Sequence, residues 1–179
     1  MKRILVLMAA TLALAAAAPP ARADNAELVR SSRRALESLT SSNKAARDLG
    51  RKATAVLVFP KMIKAGFLFG GQIGDGVLFE GDRIAGFYNS VAASYGLQVG
   101  GQVFGYALFF MNRGALDYLK KSSGWEIGSG PSVVVVDQGM AKSFSSTTLT
   151  QDVYAFIFDQ KGLMAGIGIQ GSKITRIDE

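Results

Sequence analysis

The sequence predicts an α+β fold: N-terminal helices, one short mid-chain helix, and a curved antiparallel sheet closing into a sandwich or small barrel. Three observations predict it. Gly66-Phe67-Leu68-Phe69-Gly70-Gly71-Gln72-Ile73 recurs thirty residues later as Gly96-Leu97-Gln98-Val99-Gly100-Gly101-Gln102-Val103, with a looser third copy at Gly162 to Gln170. All three copies alternate with period two, apolar side chains on one face and mostly Gly or Gln on the other. Helical periodicity, by contrast, is confined to the first quarter of the mature chain and to a short stretch after Asn112.

The chain opens with an address label. Lys2 and Arg3 precede the apolar run Ile4 to Ala18, and Ala21-Arg22-Ala23 supplies the small residues a signal peptidase reads. The run is shorter than the ~20 apolar residues that span a bilayer. We therefore expect residues 1–23 to be a signal peptide cleaved after Ala23, with delivery to the bacterial periplasm. With no cysteine in the sequence, disulfides, thiolate metal sites and a lipoprotein anchor are not expected.

Residues 24–52 read as a basic helical lead-in. Asp24 or Asn25 caps a helix to Leu39, with Leu28, Ala35, Leu36 and Leu39 as a narrow apolar stripe. Ser42 or Asn43 caps a second helix from Lys44 to Leu49, which Gly50 stops. Residues 53–179 form the glycine-rich β body, and 24–179 together make one domain. Its predicted strands begin with Ala53 to Phe59, ending at Pro60. The first repeat runs into Val77-Leu78-Phe79, and Glu80-Gly81-Asp82 turns into Arg83 to Tyr88. Ala92 to Val103 and Gly105 to Phe110 follow, then a helix Arg113 to Lys121 capped by Asn112. Trp125 to Ile127, Ser132 to Val136, Val153 to Phe158 and Leu163 to Ile169 complete the set, with a turn at Gln160-Lys161-Gly162. Each glycine inside a strand costs about 0.5–1 kcal/mol relative to Ala. Five between Gly66 and Gly76 therefore require an offsetting reason, either sharp bending of the sheet or close approach of another backbone.

Charge divides the chain. Residues 24–64 carry nine basic and four acidic side chains, whereas 65–179 carry eight basic and ten acidic. The lead-in thus favours an anionic partner. Nucleic acid does not suit an exported protein; an anionic phospholipid or membrane surface does. Arg30, Arg33, Arg34, Lys44, Arg47, Arg51 and Lys52, with Lys61 and Lys64 beside the first repeat, are the candidate lipid-binding residues.

Catalytic chemistry finds little material. The sequence has no histidine, which removes the commonest general base near neutral pH and histidine metal sites. Ser41-Ser42-Asn43-Lys44 matches S-x-x-K but lies in a helix-capping stretch without companion motifs. Gly166-Ile167-Gly168-Ile169-Gln170-Gly171 matches G-x-G-x-x-G, yet too few residues follow to form the helix that a dinucleotide site needs. Asp75, Glu80 and Asp82 fit no metal-loop spacing. No enzyme activity, cofactor or metal is expected.

From Ala55 onward the chain resembles the SYLF domain family, the Ysc-type actin- and lipid-binding domain. The residues carrying the likeness are Val58-Phe59-Pro60, Lys64-Ala65-Gly66-Phe67, Gly70-Gly71-Gln72, Gly76-Val77-Leu78 and the second repeat. Phe109-Phe110-Met111, Ala115-Leu116-Asp117-Tyr118-Leu119, Gly162 to Ile167 and Gly171-Ser172-Lys173-Ile174 extend it nearly to the end. The resemblance implies helices beside a β-rich body, phospholipid binding and, in some members, actin binding. Actin is not a partner for a periplasmic protein. The leading expectation is a non-enzymatic periplasmic phospholipid-binding domain; the alternative is an envelope assembly module whose Gly/Gln sheet face receives a protein partner.

Overall fold

The computed structural model describes residues 21–136, 150–162 and 171–177, without the side chains of 21–23, 67–69 and 94–99. Helix α1 spans Ala21–Ser42 and α2 spans Lys44–Gly50. Asn43 divides them. Its backbone is extended, and its side-chain oxygen accepts from the Ala46 N–H at 3.1 Å, so one capping residue starts the second helix. α1 begins upstream of the expected cap, and Asp24 lies in its first turn, where a carboxylate meets the positive end of the helix dipole.

Between Ala55 and Phe110 the several expected strands are two long ones: β1, Ala55–Glu80, and β2, Arg83–Phe110. They pair antiparallel from end to end, and the expected breaks are bulges. Register shifts fall between Phe59 and Met62, Phe67 and Phe69, and Leu78 and Phe79. Pro60 sits in the first of these, where its missing N–H takes nothing from the ladder. The connecting turn places Gly81 at φ 59° with open space around it, the Gly-first pattern of a type II′ hairpin.

Helix α3, Arg113–Lys121, follows, capped by Asn112 as its sequence predicts. Strands β3 (Trp125–Glu126), β4 (Val133–Val135), β5 (Val153–Gly162) and β6 (Lys173–Ile177) complete a curled sheet that forms a half-barrel. Its order is β3-β6-β2-β5-β4, with β1 on β2, and β4 pairs parallel to β5 in an otherwise antiparallel arrangement. Two details differ from expectation. Gln160-Lys161-Gly162 continues β5 instead of turning, because Gly162, at φ 110°, lets the Gly101 carbonyl close on it. β6 was hidden in a short polar ending, Lys173-Ile174-Thr175-Arg176-Ile177, of which Ile174 is buried. Residues 1–20 of the leader, the third repeat from Leu163 to Gln170 and nearly all of the polar run Ser143 to Thr150 lie outside the described residues.

Alternation splits the strands between two cores. Leu57, Phe59, Phe104, Tyr106, Leu108 and Phe110 face inward with Leu116 and Leu119 of α3 and with Trp125. Val56, Val58, Val77, Phe79, Phe109 and Phe156 face outward under Leu39, Ala45, Ala46 and Leu49 of the helices. Ala55-Val56-Leu57-Val58-Phe59 is apolar throughout because it is covered on both sides.

The bare side of the first repeat is covered by its own strand. β1 bends back so far that a Cβ on Gly76 would stand 2.6 Å from the Phe59 ring and 2.7 Å from the Val58 carbonyl. One on Gly74 would meet Met62 Sδ at 2.5 Å and the Lys61 carbonyl at 2.7 Å. Only glycine permits this approach.

Polar ties fix the periphery. Asn112 caps α3 through the Ala115 N–H at 2.9 Å and donates to Asp152 Oδ1 at 2.7 Å, while Asp152 Oδ2 accepts from Ser132 N–H and Oγ, each at 2.9 Å. Asn112→Ala removes both ties and is expected to cost about 2 kcal/mol in chemical denaturation. Asn112→Ser, which keeps only the cap, should recover part of the loss; equal losses in both variants would contradict the shared role.

The same ties predict the acid limb of stability. Hydrogen bonds from Ser132 and Asn112 hold the Asp152 carboxyl below its ordinary 3.8, and the Lys120 ammonium holds Glu80 below 4.5. A carboxyl lowered on folding stabilises the native state above its unfolded value and loses that stabilisation as pH falls through the folded value. Melting temperature should therefore be nearly flat from about pH 8 to 5, where no histidine titrates. It should fall below about pH 4, less steeply in Asp152→Asn. A rise on acidification would refute this.

Candidate functional site

The basic residues singled out in the sequence do not form one surface. Three of them, Arg33, Arg47 and Arg51, line a single groove of about 410 Å³ between α1, α2 and the edge of the β1–β2 hairpin. Its floor is apolar, built from Leu36, Val56, Phe79 and Phe109, and Glu37 and Asp82 stand among the lining residues. Phe109 is held edge-on by Phe156, with centroids 5.2 Å apart.

Helical spacing and the Asn43 break create the convergence. Arg47 on α2 and Arg51 at its C-cap are one turn apart, and the break at the extended Asn43 lets Arg47 reach the end of α1. Arg47 Nε donates to the Thr40 carbonyl at 2.8 Å and Nη2 to the Ser41 carbonyl at 2.6 Å. These carbonyls belong to the last turn of α1, the negative end of its dipole. Arg33 Nη2 donates to the Asp82 carbonyl at 2.8 Å, and its guanidinium lies 4.9 Å above the Phe79 ring centre. Each guanidinium has five N–H donors, so these bonds orient the forks without exhausting them. The groove offers positive, planar donors above an aromatic and aliphatic floor, an arrangement suited to an anionic group attached to an apolar one.

Other predicted residues lie elsewhere. Arg30, Arg34 and Lys52 are exposed on the helices or just beyond them, and Lys44 pairs with Asp48 at 2.7 Å in a largely solvated contact, worth little. Lys61 lines a separate shallow depression with Asp24, Glu27 and Asp75. Lys64 is buried, 7% exposed, on the inner face opposite Gln102, so it is no part of the outer basic surface. Asp75 accepts from Asn89 at 2.7 Å, while Glu80 is engaged by Lys120 and Arg83. The three acids grouped by sequence thus have separate surroundings.

The Gly/Gln face also requires correction as a partner surface. Gln72 and Gln102 are each 6% exposed, and Gln72 donates to Ser172 Oγ at 2.9 Å inside the half-barrel. Ser90 and the phenols of Tyr88 and Tyr106 are buried on the same face, and burial pushes both phenols above their ordinary range. This face is the lining of the barrel. Sequence alternation separated the two faces but had no means of telling inside from outside, because the curl turns the glycine side inward.

Residues 91–179 match the family model Ysc84, described as Las17-binding protein actin regulator. No curated protein matches the chain. The matched stretch begins inside β2 and runs to the end, so the three groove arginines precede it while Phe109 of the floor lies within it.

Proposed function

From the chain's membership of the Ysc84 family over residues 91–179, we propose that it is a non-enzymatic phospholipid-binding domain, recognising anionic headgroups in the bacterial periplasm. One observation carries the reading: Arg33, Arg47 and Arg51 converge over an apolar floor. A phosphate headgroup takes the arginine forks by charge-assisted hydrogen bonds, and the adjoining glycerol carbons meet Leu36 and the edge of Phe79. Arg30, Arg34 and Lys52 add long-range attraction, since each basic side chain near an anionic bilayer contributes about 1 kcal/mol. The periplasmic setting rests on the leader pattern of residues 1–23. The family description concerns an actin regulator; for an exported chain the lipid surface is the member of that functional range within reach.

Sedimentation with vesicles tests the reading. The protein should pellet with phosphatidylglycerol-containing vesicles at low ionic strength, remain in solution with pure phosphatidylcholine, and be released by salt. Equal pelleting with both vesicle types, or none with either, would defeat it.

A further inference from the structure

The outer face of β1 and β2 is covered by helices only over part of its length. Leu28 and Ser31 near the start of α1 line the depression that holds Pro60, Lys61 and Asp75. The next outward positions along the two halves of β1 are Ile63 and Ile73, which are 45% and 53% exposed. Across the ladder from Ile73 stands Val91, 45% exposed, and across from Ile63 stands Val103. Directly opposed residues share a face, so these four aliphatic side chains all point outward.

Both rows end in lysine on the neighbouring strand. Val91 pairs with Lys173 of β6 and Val103 with Lys161 of β5; both lysines are exposed. Glu126 lies one strand beyond Lys173, and Asp75, bonded to Asn89, borders the patch beside α1. Between those borders the sequence holds no acid, neither from Met62 to Gly74 nor from Ser90 to Phe104. Aliphatic rows bounded by Lys61, Lys161 and Lys173 complement a surface that is apolar inside and anionic outside. A bilayer interface has that profile: aliphatic groups enter the acyl boundary while lysines reach back to headgroups.

We propose that this outer face of the bent β1–β2 ribbon is a membrane-seating surface, with Ile63, Ile73, Val91 and Val103 entering an anionic bilayer between lysines at headgroup level. The proposal rests on the lipid-binding reading above but uses a surface distinct from the arginine groove. It adds apolar insertion to a contact that the groove alone would leave at the headgroups.

The cysteine-free chain allows a direct test. Full-length protein carrying Ile73→Cys is labelled with an environment-sensitive fluorophore and mixed with phosphatidylcholine/phosphatidylglycerol vesicles; Ser123→Cys, exposed beyond α3, serves as reference. The Ile73 label should shift to the blue, brighten and be quenched by acyl-chain quenchers, with the reference unchanged. The variant Ile63→Ser/Ile73→Ser/Val91→Ser, altered only at exposed positions, should bind about tenfold or more weakly with an unaltered circular dichroism spectrum.

An unresponsive Ile73 label on protein that pellets with the vesicles would overturn insertion and leave the groove reading standing. Full binding by the serine variant would do the same. If the serine variant loses binding while reversal of Arg33, Arg47 and Arg51 does not, the groove reading fails and insertion stands. No pelleting of the unaltered protein would defeat both. A label response that needs only higher protein concentration would assign the patch to a second copy of the chain and overturn the proposal.

Discussion

Gly76→Ala is expected to lower the melting temperature by on the order of 10 °C, a large effect for a single added methyl group. The added carbon would lie 2.6 Å from the Phe59 ring and 2.7 Å from a backbone carbonyl, that of Val58. Neither neighbour can yield. Phe59 is fully buried and stacked on Tyr106 with centroids 5.6 Å apart, and the carbonyl belongs to a strand paired along its length with β2. Relief requires the two halves of β1 to separate, which opens the inner core; overpacking of this kind costs about 3 kcal/mol. Gly71→Ala provides the contrast, since its nearest neighbour would be the Ala92 carbonyl at an ordinary 3.5 Å. That variant should be neutral or slightly more stable, because alanine surrenders less chain entropy on folding. Thermal melts of the pair decide the matter: comparable behaviour would mean that the fold-back of β1 does not constrain the repeat.

Reversing the groove, Arg33→Glu/Arg47→Glu/Arg51→Glu, is expected to weaken binding to phosphatidylglycerol vesicles by about a hundredfold or more. Three arginines and two carboxylates give the groove a formal charge of +1, and exchanging three positive for three negative charges takes it to −5. Losing three favourable contacts of about 1 kcal/mol each accounts for roughly two decades, before any repulsion is counted. The loss should be greatest at low ionic strength and shrink as the Debye length falls below about 8 Å. Folding must be monitored in parallel, because Arg33 and Arg47 also hold carbonyls of the hairpin turn and of α1. Arg51 offers a cleaner single probe: its contact is a long, exposed one of 4.0 Å with Asp48, so Arg51→Glu should weaken binding with little change in melting temperature. A triple variant that is folded and binds as tightly as the original protein would remove the groove from the account.

Local chemistry made much of this fold legible. Asn43 and Asn112 announce helix starts because a short polar side chain satisfies an amide that the helix cannot, and both cap as expected. Gly81 announces the hairpin because of its backbone freedom. What escaped the sequence depends on bending. Pro60 reads as the end of a strand, yet a bulge absorbs it, and glycines read as strand breakers are the means by which β1 stays continuous through a fold-back. The site was legible by halves. Charge asymmetry located the arginines, but the packing of α1 on the hairpin, with Arg33 toward Asp82 and Phe79, and the break at Asn43 decide that Arg33, Arg47 and Arg51 line one groove while Arg30 and Arg34 do not. Lys161 and Lys173 escaped notice because their relation to Val103 and Val91 is a cross-strand register, invisible to local periodicity. Lys64 was misread for the complementary reason: its alternation partner is clear, but the curl decides that its side faces inward.

The turn at Gly81-Asp82 bears on the order in which the sheet can form. Each successive rung of the β1–β2 ladder, from Glu80 with Arg83 out to Ala55 with Phe110, joins residues only slightly farther apart along the chain than the last. Loop-closure entropy, which grows with the logarithm of loop length, is therefore met in small increments. β5 and β6 both attach to β2, and β6 reaches Val91 across the long interval to Lys173. The ribbon is thus a short-range template onto which the long-range strands add, so contact order is low where the sheet starts and high only at its finish.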